Sequence, residues 1–397
     1  MPAIAFQNVD IIFGKETDRA LALLDAGRTR DQILEETGQV VGVAGASLTV
    51  ETGEVCVIMG LSGSGKSTLV RAVNGLNQVT RGRVLVQDRE AEIDITRCDA
   101  QTIRRLRTER IAMVFQQFAL LPWRSVAENV GLGLELRGMP RSDRAAIVDQ
   151  KLSLVGLEQW RDKYAHELSG GMQQRVGLAR AFATDADILL MDEPFSALDP
   201  LIREKLQDEL QILQRRLKKT ILFVSHDLDE ALKLGTHIAI MDSGRIVQFG
   251  EPENIVLQPA NGYVAEFVAH MNPLNVLRGG SLMTPVEALR REDDEVLLDR
   301  DGRFRVSLDR NGAPTAVSID GRPASLMTHD QVRNGAGIDG ATMVTAPAAM
   351  SMRTAIELRR ASGIPVAVLE DGRLAGVCGD EEIYRGILRQ AGGPVRS

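Results

Sequence analysis

The chain has 397 residues, of which 44% are hydrophobic and 25% are charged, and its formal net charge is −7. This length allows two or three domains with ordinary cores, and the acidic balance argues against a general nucleic-acid binder. The three cysteines are far apart and form no metal-binding or paired spacing, which suits a reducing compartment. We expect no signal peptide, since the start of the chain lacks a basic segment before an apolar core, and no transmembrane segment, since the apolar runs are strand-sized.

The first 50 residues predict two strands separated by a helical insertion. Residues 4–13 alternate in polarity and predict an edge strand, and residues 46–50 predict a second strand. Between them, apolar residues recur at helical spacing among charged ones. This pattern predicts one or two short helices within an insertion that spans about 15–44.

A glycine-rich loop follows the apolar strand pattern at 55–59 and precedes a helical pattern. Strand, loop and helix together form the context that a phosphate-binding loop requires. The backbone N–H groups of such a loop bind phosphate oxygens, and the helix adds the positive end of its dipole. Lys66 is predicted to reach the β- and γ-phosphates of a nucleoside triphosphate, and the Ser67 hydroxyl to ligate Mg²⁺. The predicted ATP-binding residues of this segment are Gly60, Ser62, Gly63, Ser64, Gly65, Lys66, Ser67 and Thr68.

The next part of the chain predicts an α/β arrangement and then a separate domain. Residues 104–156 are mostly helical in pattern, and the short apolar runs 188–191 and 220–224 flank a charged helix predicted at 201–217. Short apolar runs with helices between them indicate a parallel sheet buried on both faces. After a junction near 271–273 lysine disappears, and short strand patterns alternate with Asp-Gly and Asn-Gly turns.

Two further segments have the residue types that triphosphate chemistry needs. The strand pattern at 188–191 ends in Asp192 and Glu193, at the sheet edge where the phosphates are expected. Asp192 is predicted to hold Mg²⁺, and Glu193 to polarise the attacking water. In the segment 168–175, Ser169 is predicted to cap a helix at 172–182, and the glycines permit another surface to approach closely.

The phosphate-binding loop, Leu-Ser-Gly-Gly-Met at 168–172 and Met-Asp-Glu at 191–193 resemble, in this order, the ATP-binding subunits of ABC transporters. The resemblance covers about residues 1–270. It implies an α/β fold with a P-loop NTPase (RecA-like) core, an ABC helical subdomain at about 118–182 and an antiparallel β subdomain, together forming an ATP-binding domain at 1–272. It also implies ATP and Mg²⁺ as cofactors, and a homodimer in which each ATP lies between one copy's phosphate-binding loop and the other copy's segment 168–175, which we call the signature segment. The residues predicted to make that contact in trans are Ser169, Gly170, Gly171 and Gln173.

The same resemblance implies roles for single residues elsewhere. Gln116 is similar to the glutamine that senses Mg²⁺ and contacts the membrane partner, Asp199 to the aspartate that communicates across the dimer, and His226 to the histidine that contacts the γ-phosphate. Phe13 is the candidate for stacking on adenine, with a place in the core as the alternative. The implied catalytic residues are Glu193, His226 and Gln116, and the implied Mg²⁺ ligands are Ser67, Gln116 and Asp192.

The insertion and the segments 57–65, 111–116, 225–231 and 259–264 resemble the branch that imports glycine betaine, proline betaine and choline. This implies an ATPase that powers import through integral-membrane permease subunits and, indirectly, a substrate-binding protein, at the cytoplasmic face of the bacterial inner membrane. Two alternatives remain, an importer ATPase for another polar solute and a soluble ABC ATPase acting on nucleic acid or ribosomes. The single cassette and the acidic charge disfavour the latter, and no nucleic-acid partner is expected.

Residues 273–397 resemble the regulatory region of that branch, which implies a degenerate CBS-like (cystathionine-β-synthase-like) α+β domain. Its clearest part is the helix–strand–strand–helix pattern at 351–389, whereas a first copy at 281–340 is barely recognisable. Gly379 and Glu382 stand where the family's ligand-binding copy has a Thr/Ser and an Asp. We therefore expect this fold with a weakened or absent nucleotide site, serving either regulation or dimer stabilisation.

Overall fold

The computed structural model describes residues 2–89, 91–269, 272, 274, 276–292, 295–338 and 341–388, with only the backbone of Leu213. The chain divides into two compact units, Met1–Glu251 and Pro252–Ser397. This division falls earlier than the predicted domain boundary at 272–273, where Pro273 lies outside the described residues, as do Met271 of the predicted junction and Arg389 at the predicted end of the last helix. The assignment of 1–272 and 273–397 as domains stays a prediction.

The first unit alternates strands and helices along most of its length. Its strands are β1 (Pro2–Phe13), β2 (Val40–Glu51), β3 (Val55–Met59), β4 (Arg81–Asp88), β5 (Ala91–Asp94), β6 (Ile111–Val114), β7 (Ile188–Asp192), β8 (Thr220–Val224), β9 (His237–Asp242) and β10 (Arg245–Gly250). Its α-helices are α1 (Thr17–Asp25), α2 (Arg30–Thr37), α3 (Lys66–Val73), α4 (Ala100–Glu109), α5 (Val126–Val130), α6 (Leu132–Leu136), α7 (Arg141–Leu154), α8 (Gly170–Ala183), α9 (Pro200–Leu217) and α10 (Leu228–Leu234).

A six-stranded sheet in the order β10-β9-β3-β8-β7-β6 forms the centre of the first unit. All its neighbouring strands are parallel except β10, which runs antiparallel to β9. Every residue of β3, β7 and β8 is buried, which confirms the predicted parallel sheet. The carboxyl ends of these strands meet at one edge, where a ligand site is expected in such folds. Strand β6 was missed within the region predicted to be mostly helical, because four residues are too few to reveal a period.

A second, antiparallel sheet has the order β2-β1-β4-β5. Strand β1 pairs with both β2 and β4, so the prediction of an edge strand at 4–13 was wrong. Polar alternation reports which face of a strand is buried, and it carries no information on how many neighbours the strand has. The two short helices of the insertion are confirmed as α1 and α2, and β2 already begins at Val40.

The second unit is built on one large sheet with short helices. Its elements are α11 (Pro252–Leu257), α12 (Gly262–Val268), α13 (Gly279–Leu282), β11 (Thr284–Pro285), β12 (Arg291–Glu292), β13 (Glu295–Leu297), β14 (Phe304–Leu308), β15 (Pro314–Ile319), β16 (Arg322–Thr328), α14 (His329–Arg333), β17 (Thr342–Pro347), α15 (Met352–Ser362), β18 (Val366–Glu370), β19 (Arg373–Cys378) and α16 (Asp380–Ile387). The sheet has nine strands in the order β11-β19-β18-β17-β16-β15-β14-β13-β12. The predicted helix–strand–strand–helix order is present as α15-β18-β19-α16, and β13 to β16 form an antiparallel meander.

Glu382 of the second unit is engaged by its own neighbours. Its carboxylate accepts hydrogen bonds from the Gly379 N–H and from the Thr284 hydroxyl, and it forms an ion pair with Arg385. Across the part of the chain that the structure describes, no helix is both long and apolar enough to cross a membrane.

Candidate nucleotide-binding site

The glycine-rich loop 60–65 connects the buried strand β3 to helix α3, and its backbone requires glycine at two positions. Gly60 has a φ of +144° and Gly65 a φ of +99°. A Cβ atom would overlap the carbonyl oxygen of Met241 at the first position and that of Gly42 at the second. The loop is therefore curled against the neighbouring backbone in a way that side chains would prevent.

The loop encloses the ammonium group of Lys66 and a hydroxyl group, that of Ser64, which has no hydrogen-bond partner among the described residues. Lys66 is 6% exposed, and its Nζ donates to the carbonyl oxygens of Gly60 and Leu61, both at 2.9 Å. Burial lowers the pKa of Lys66, whereas the nearby carboxylates of Glu193 and Asp192 act to raise it. The buried Ser64 Oγ has no hydrogen-bond partner among the described residues. A curled backbone, a buried ammonium and an unpartnered hydroxyl suit the oxygens of a triphosphate.

Asp192 at the end of β7 is fully buried and bonded to two side chains of α3. Its Oδ1 accepts from the Ser67 hydroxyl at 2.6 Å, and its Oδ2 lies 2.8 Å from the Arg71 Nη2. Sequence reasoning missed Arg71, although its i+4 spacing from Ser67 on a predicted helix was an available signal.

The adjacent oxygens of Ser67 and Asp192 suit Mg²⁺, which prefers hard oxygen ligands and keeps waters and substrate phosphates in its shell. No cluster of three or more His, Cys, Asp or Glu side chains able to hold a metal occurs among the described residues. One carboxylate and one hydroxyl fit a metal whose remaining ligands come from the nucleotide and water.

Glu193 is the point at which three predicted residues come together. Its backbone lies in the left-handed region, with a φ of +47°, and its N–H donates to the Val224 carbonyl at 3.1 Å. Its Oε2 accepts from the Gln116 Nε2 at 3.1 Å and lies 3.3 Å from the His226 Nδ1. Gln116 thus contacts Glu193, whereas Ser67 contacts Asp192. A carboxylate flanked by an amide and an imidazole is able to orient a water molecule and accept its proton.

The signature segment begins helix α8 within the helical part of the first unit. Ser169 caps this helix by accepting from the Met172 N–H at 3.4 Å. The Gln173 Nε2 donates to the carbonyl oxygens of Ala165 and Leu168, at 3.0 and 3.1 Å. The side-chain hydrogen bonds of Ser169 and Gln173 therefore lie within this segment.

Gln174, to which the sequence analysis assigned no role, joins α8 to the backbone of Glu193. This side chain is 1% exposed; its Nε2 donates to the Glu193 carbonyl, and its Oε1 accepts from the Ala197 N–H, both at 3.0 Å. Asp199 follows in the same loop and caps α9 through the Ile202 N–H at 3.0 Å. Gln174 lies within the segment 168–175 that the sequence analysis singled out, and this position was the signal available for it.

Phe13 ends strand β1 beside the phosphate-binding helix. Phe13 is 44% exposed to solvent. A Cβ built on Gly42 would lie 2.8 Å from the Phe13 Cε2 and 3.0 Å from the Thr68 Cγ2, so Gly42 lies close to both the ring and α3. At this exposure Phe13 does not occupy a core position, and stacking on adenine stays a prediction.

A phosphate cradle at the carboxyl edge of a parallel sheet, with a buried aspartate and a following glutamate, defines a P-loop ATPase. The chain also matches the ABC transporter family over residues 43–196. Among solved structures, a dimeric ATP-binding cassette in a post-hydrolysis state with ADP and Pi is similar, with a TM-score of 0.55 and 28% identity, covering 63% of this chain and 98% of that one.

Similarity to curated proteins extends over nearly the whole chain. The glycine betaine/proline betaine transport system ATP-binding protein ProV of Escherichia coli is 41% identical over 98% of both chains. The glycine betaine/carnitine transport ATP-binding protein GbuA of Listeria monocytogenes is 40% identical over 95% of both. A trimethylamine N-oxide transport system ATP-binding protein of Ruegeria pomeroyi is 47% identical over 71% of this chain and 81% of its own length. The chain belongs to the ABC transporter ATP-binding proteins, in the branch of the glycine betaine/proline betaine transport proteins.

Proposed function

We propose that this chain is the ATP-hydrolysing subunit that powers import of a quaternary amine osmolyte, choline or glycine betaine/proline betaine, through partner permease subunits. The observation that carries the proposal is the convergence of Gln116 and His226 on Glu193, next to the bonded pair Ser67–Asp192. The similarity to glycine betaine/proline betaine transport proteins over almost the full length supports the solute class.

Each residue of the site has a distinct proposed role in hydrolysis. In this proposal the loop N–H groups and Lys66 bind the triphosphate, and Ser67 and Asp192 would hold Mg²⁺. When bound, Mg²⁺ would neutralise negative charge on the phosphates. Glu193 orients the attacking water and accepts its proton, while Gln116 and His226 keep the carboxylate in position.

We further propose that two copies assemble with ATP between them, with Ser169, Gly170, Gly171 and Gln173 of each copy completing the other's site. The dimeric state of the similar solved cassette supports this arrangement. In this proposal the dimer is peripheral to the inner membrane at its cytoplasmic face, where it drives permease subunits that receive solute from a binding protein.

Substitution of Glu193 by glutamine tests the catalytic role. E193Q keeps the shape and the hydrogen bond from Gln116 but cannot accept a proton, so we expect retained ATP binding and a turnover number reduced by about 100-fold or more. An ATP-dependent doubling of mass in light scattering is expected in the same variant. E204Q on the exposed side of α9 is the matched control and should hydrolyse ATP at the parental rate. Parental turnover in E193Q would refute the proposed role of Glu193.

The solute is tested in cells that carry E193Q in place of the native protein. Loss of labelled glycine betaine or choline uptake is the expected result. The trimethylamine N-oxide relative makes another polar solute the specific alternative. Loss of trimethylamine N-oxide uptake with normal uptake of both quaternary amines would favour that alternative.

A further inference from the structure

The helical insertion between β1 and β2 reaches the phosphate-binding loop through one side chain. Arg30, the first residue of α2, donates from its Nη1 to the carbonyl oxygen of Gly63 at 3.0 Å. Gly63 lies at the exposed tip of the loop, more than thirty residues away along the chain. No motif of the sequence indicated this contact.

Several contacts hold the helical insertion, and with it Arg30, in place against the strands that flank it. Both helices contribute to a buried apolar cluster with the two strands that flank them, composed of Ile12, Ala20, Leu24, Ile33, Val41 and Ala44. The Gln39 side chain accepts from the Glu16 N–H at 3.3 Å and donates to the Thr37 carbonyl at 2.8 Å, which joins the two ends of the insertion.

An ion-pair network holds the far end of α1. Arg81 of β4 forms a bidentate bond with Asp25, with both distances 2.8 Å, and also bonds Asp10 at 2.7 Å. Bidentate guanidinium–carboxylate bonds fix geometry as well as supplying energy. At the start of α2, Thr29 and Gln32 form a capping box that fixes the helical turn from which Arg30 projects.

The loop tip needs such a restraint. Gly63 has a φ of +79°, and a Cβ built at this position would meet nothing within 4 Å, so no neighbour blocks the side of the residue on which a side chain would lie. Glycine adopts positive and negative φ about equally readily, so its own backbone preference does not select this conformation. A charge-assisted hydrogen bond to its carbonyl selects one orientation of the peptide. No other hydrogen bond or ion pair of Arg30 occurs within the described part of the chain.

We propose that the insertion is part of the ATP site and that Arg30 is a positioning residue, which holds the Gly63 peptide in the conformation that binds the triphosphate. The proposal rests on the proposed ATP-binding function. Phe13 immediately precedes the insertion and Arg30 lies within it, so this segment flanks both the adenine-stacking candidate and the phosphate cradle. Pre-organising a binding loop lowers the entropy lost when the ligand binds.

The test measures ATP binding and turnover separately for R30A in the full-length protein. Loss of the restraint should raise both KM for ATP and Kd for trinitrophenyl-ATP by roughly three- to tenfold, with kcat at saturating ATP unchanged. The thermal midpoint without nucleotide should equal the parental value, because the apolar cluster and the Arg81 network stay in place. R30K keeps a cationic donor and should recover part of the affinity.

R28A is the matched control, since Arg28 is on the same insertion and its ion pair with Glu36 at 3.7 Å does not involve the loop. It should bind and hydrolyse ATP as the parent does. Parental KM and Kd in R30A, or an equal loss of affinity in R28A, would overturn the inference. If R30A does not fold, the same measurements of KM and Kd on R30Q, compared with R28A, test the inference. A parent protein that fails to bind ATP would refute the proposed function and this inference together.

Discussion

At the scale of single residues, the nucleotide site depends on glycines at positions where a Cβ atom would force the backbone to shift. Gly60 is such a position, since its φ of +144° is unfavourable for other residues and a Cβ would overlap the Met241 carbonyl. The same residue also accepts the hydrogen bond from Lys66. A change at Gly60 therefore disturbs folding and phosphate binding at once.

We predict that G60A lowers the free energy of unfolding by about 2 kcal/mol or more and abolishes detectable ATP binding. Urea unfolding and trinitrophenyl-ATP titration measure the two effects. G262A is the matched control, because Gly262 has no left-handed φ and a Cβ there would meet nothing within 4 Å. It should stay within about 0.5 kcal/mol of the parent, and parental stability and binding in G60A would contradict the argument.

At the scale of elements, an ion-pair cluster connects α6, α7 and the turn before α5. Glu135 of α6 accepts a bidentate pair of bonds from Arg124, both at 3.0 Å, and another from Arg144 of α7 at 2.7 Å. These hydrogen bonds, first from Arg124 and then from Arg144, lower the pKa of Glu135 from 4.5 to about 2. A carboxyl group with a lowered folded-state pKa stabilises the fold above its unfolded pKa and loses that contribution as the pH falls.

We predict that the parent is more stable than E135Q at pH 7 and that the difference disappears as the pH falls from about 5 towards 2. The side chain is 41% exposed, so solvent screening keeps the difference small. Denaturant midpoints of both proteins as a function of pH provide the measurement. E92Q, at an exposed position of β5, is the control and should show no such dependence. A pH-independent difference for E135Q would show that charge pairing is not its source.

At the scale of the whole molecule, the two units have separate cores. One buried cluster of the first unit spans both of its sheets and α3, whereas a cluster in the second unit contains only residues from 296 onward. All the proposed site residues, from Phe13 to His226, lie in the first unit. The proposed hydrolysis site therefore includes no side chain of the second unit.

We predict that deletion of 274–397 leaves ATP hydrolysis within about twofold of the parent, because the deletion removes no site residue. A phosphate-release assay on the purified truncated protein measures this, and E193Q in the truncated chain controls for background turnover. Loss of hydrolysis in a folded truncated protein would contradict the independence of the first unit. Unchanged solute uptake across salt concentrations would in addition remove a sensing role for the deleted region.

Those parts of the candidate site whose residues are adjacent in the chain could be predicted from the sequence. The phosphate-binding loop, the Asp192–Glu193 pair and the signature segment were found because a strand, a turn and a helix start leave local patterns of apolar residues, glycines and caps. Family resemblance then ordered these segments into a class of ATPase. The parallel central sheet and the two insertion helices were predictable for the same local reason.

Contacts between residues that are distant in the chain became visible in the folded structure. It moved β1 from the edge to the interior of its sheet, placed Gln116 on Glu193, and revealed Arg71, Gln174 and Arg30 as neighbours of the site. The hydrophobic periodicity of a sequence shows which side chains of an element face the core. It does not show which residues of other elements those side chains contact. Contacts between residues far apart in sequence arise when elements pack, so they are set by the whole fold.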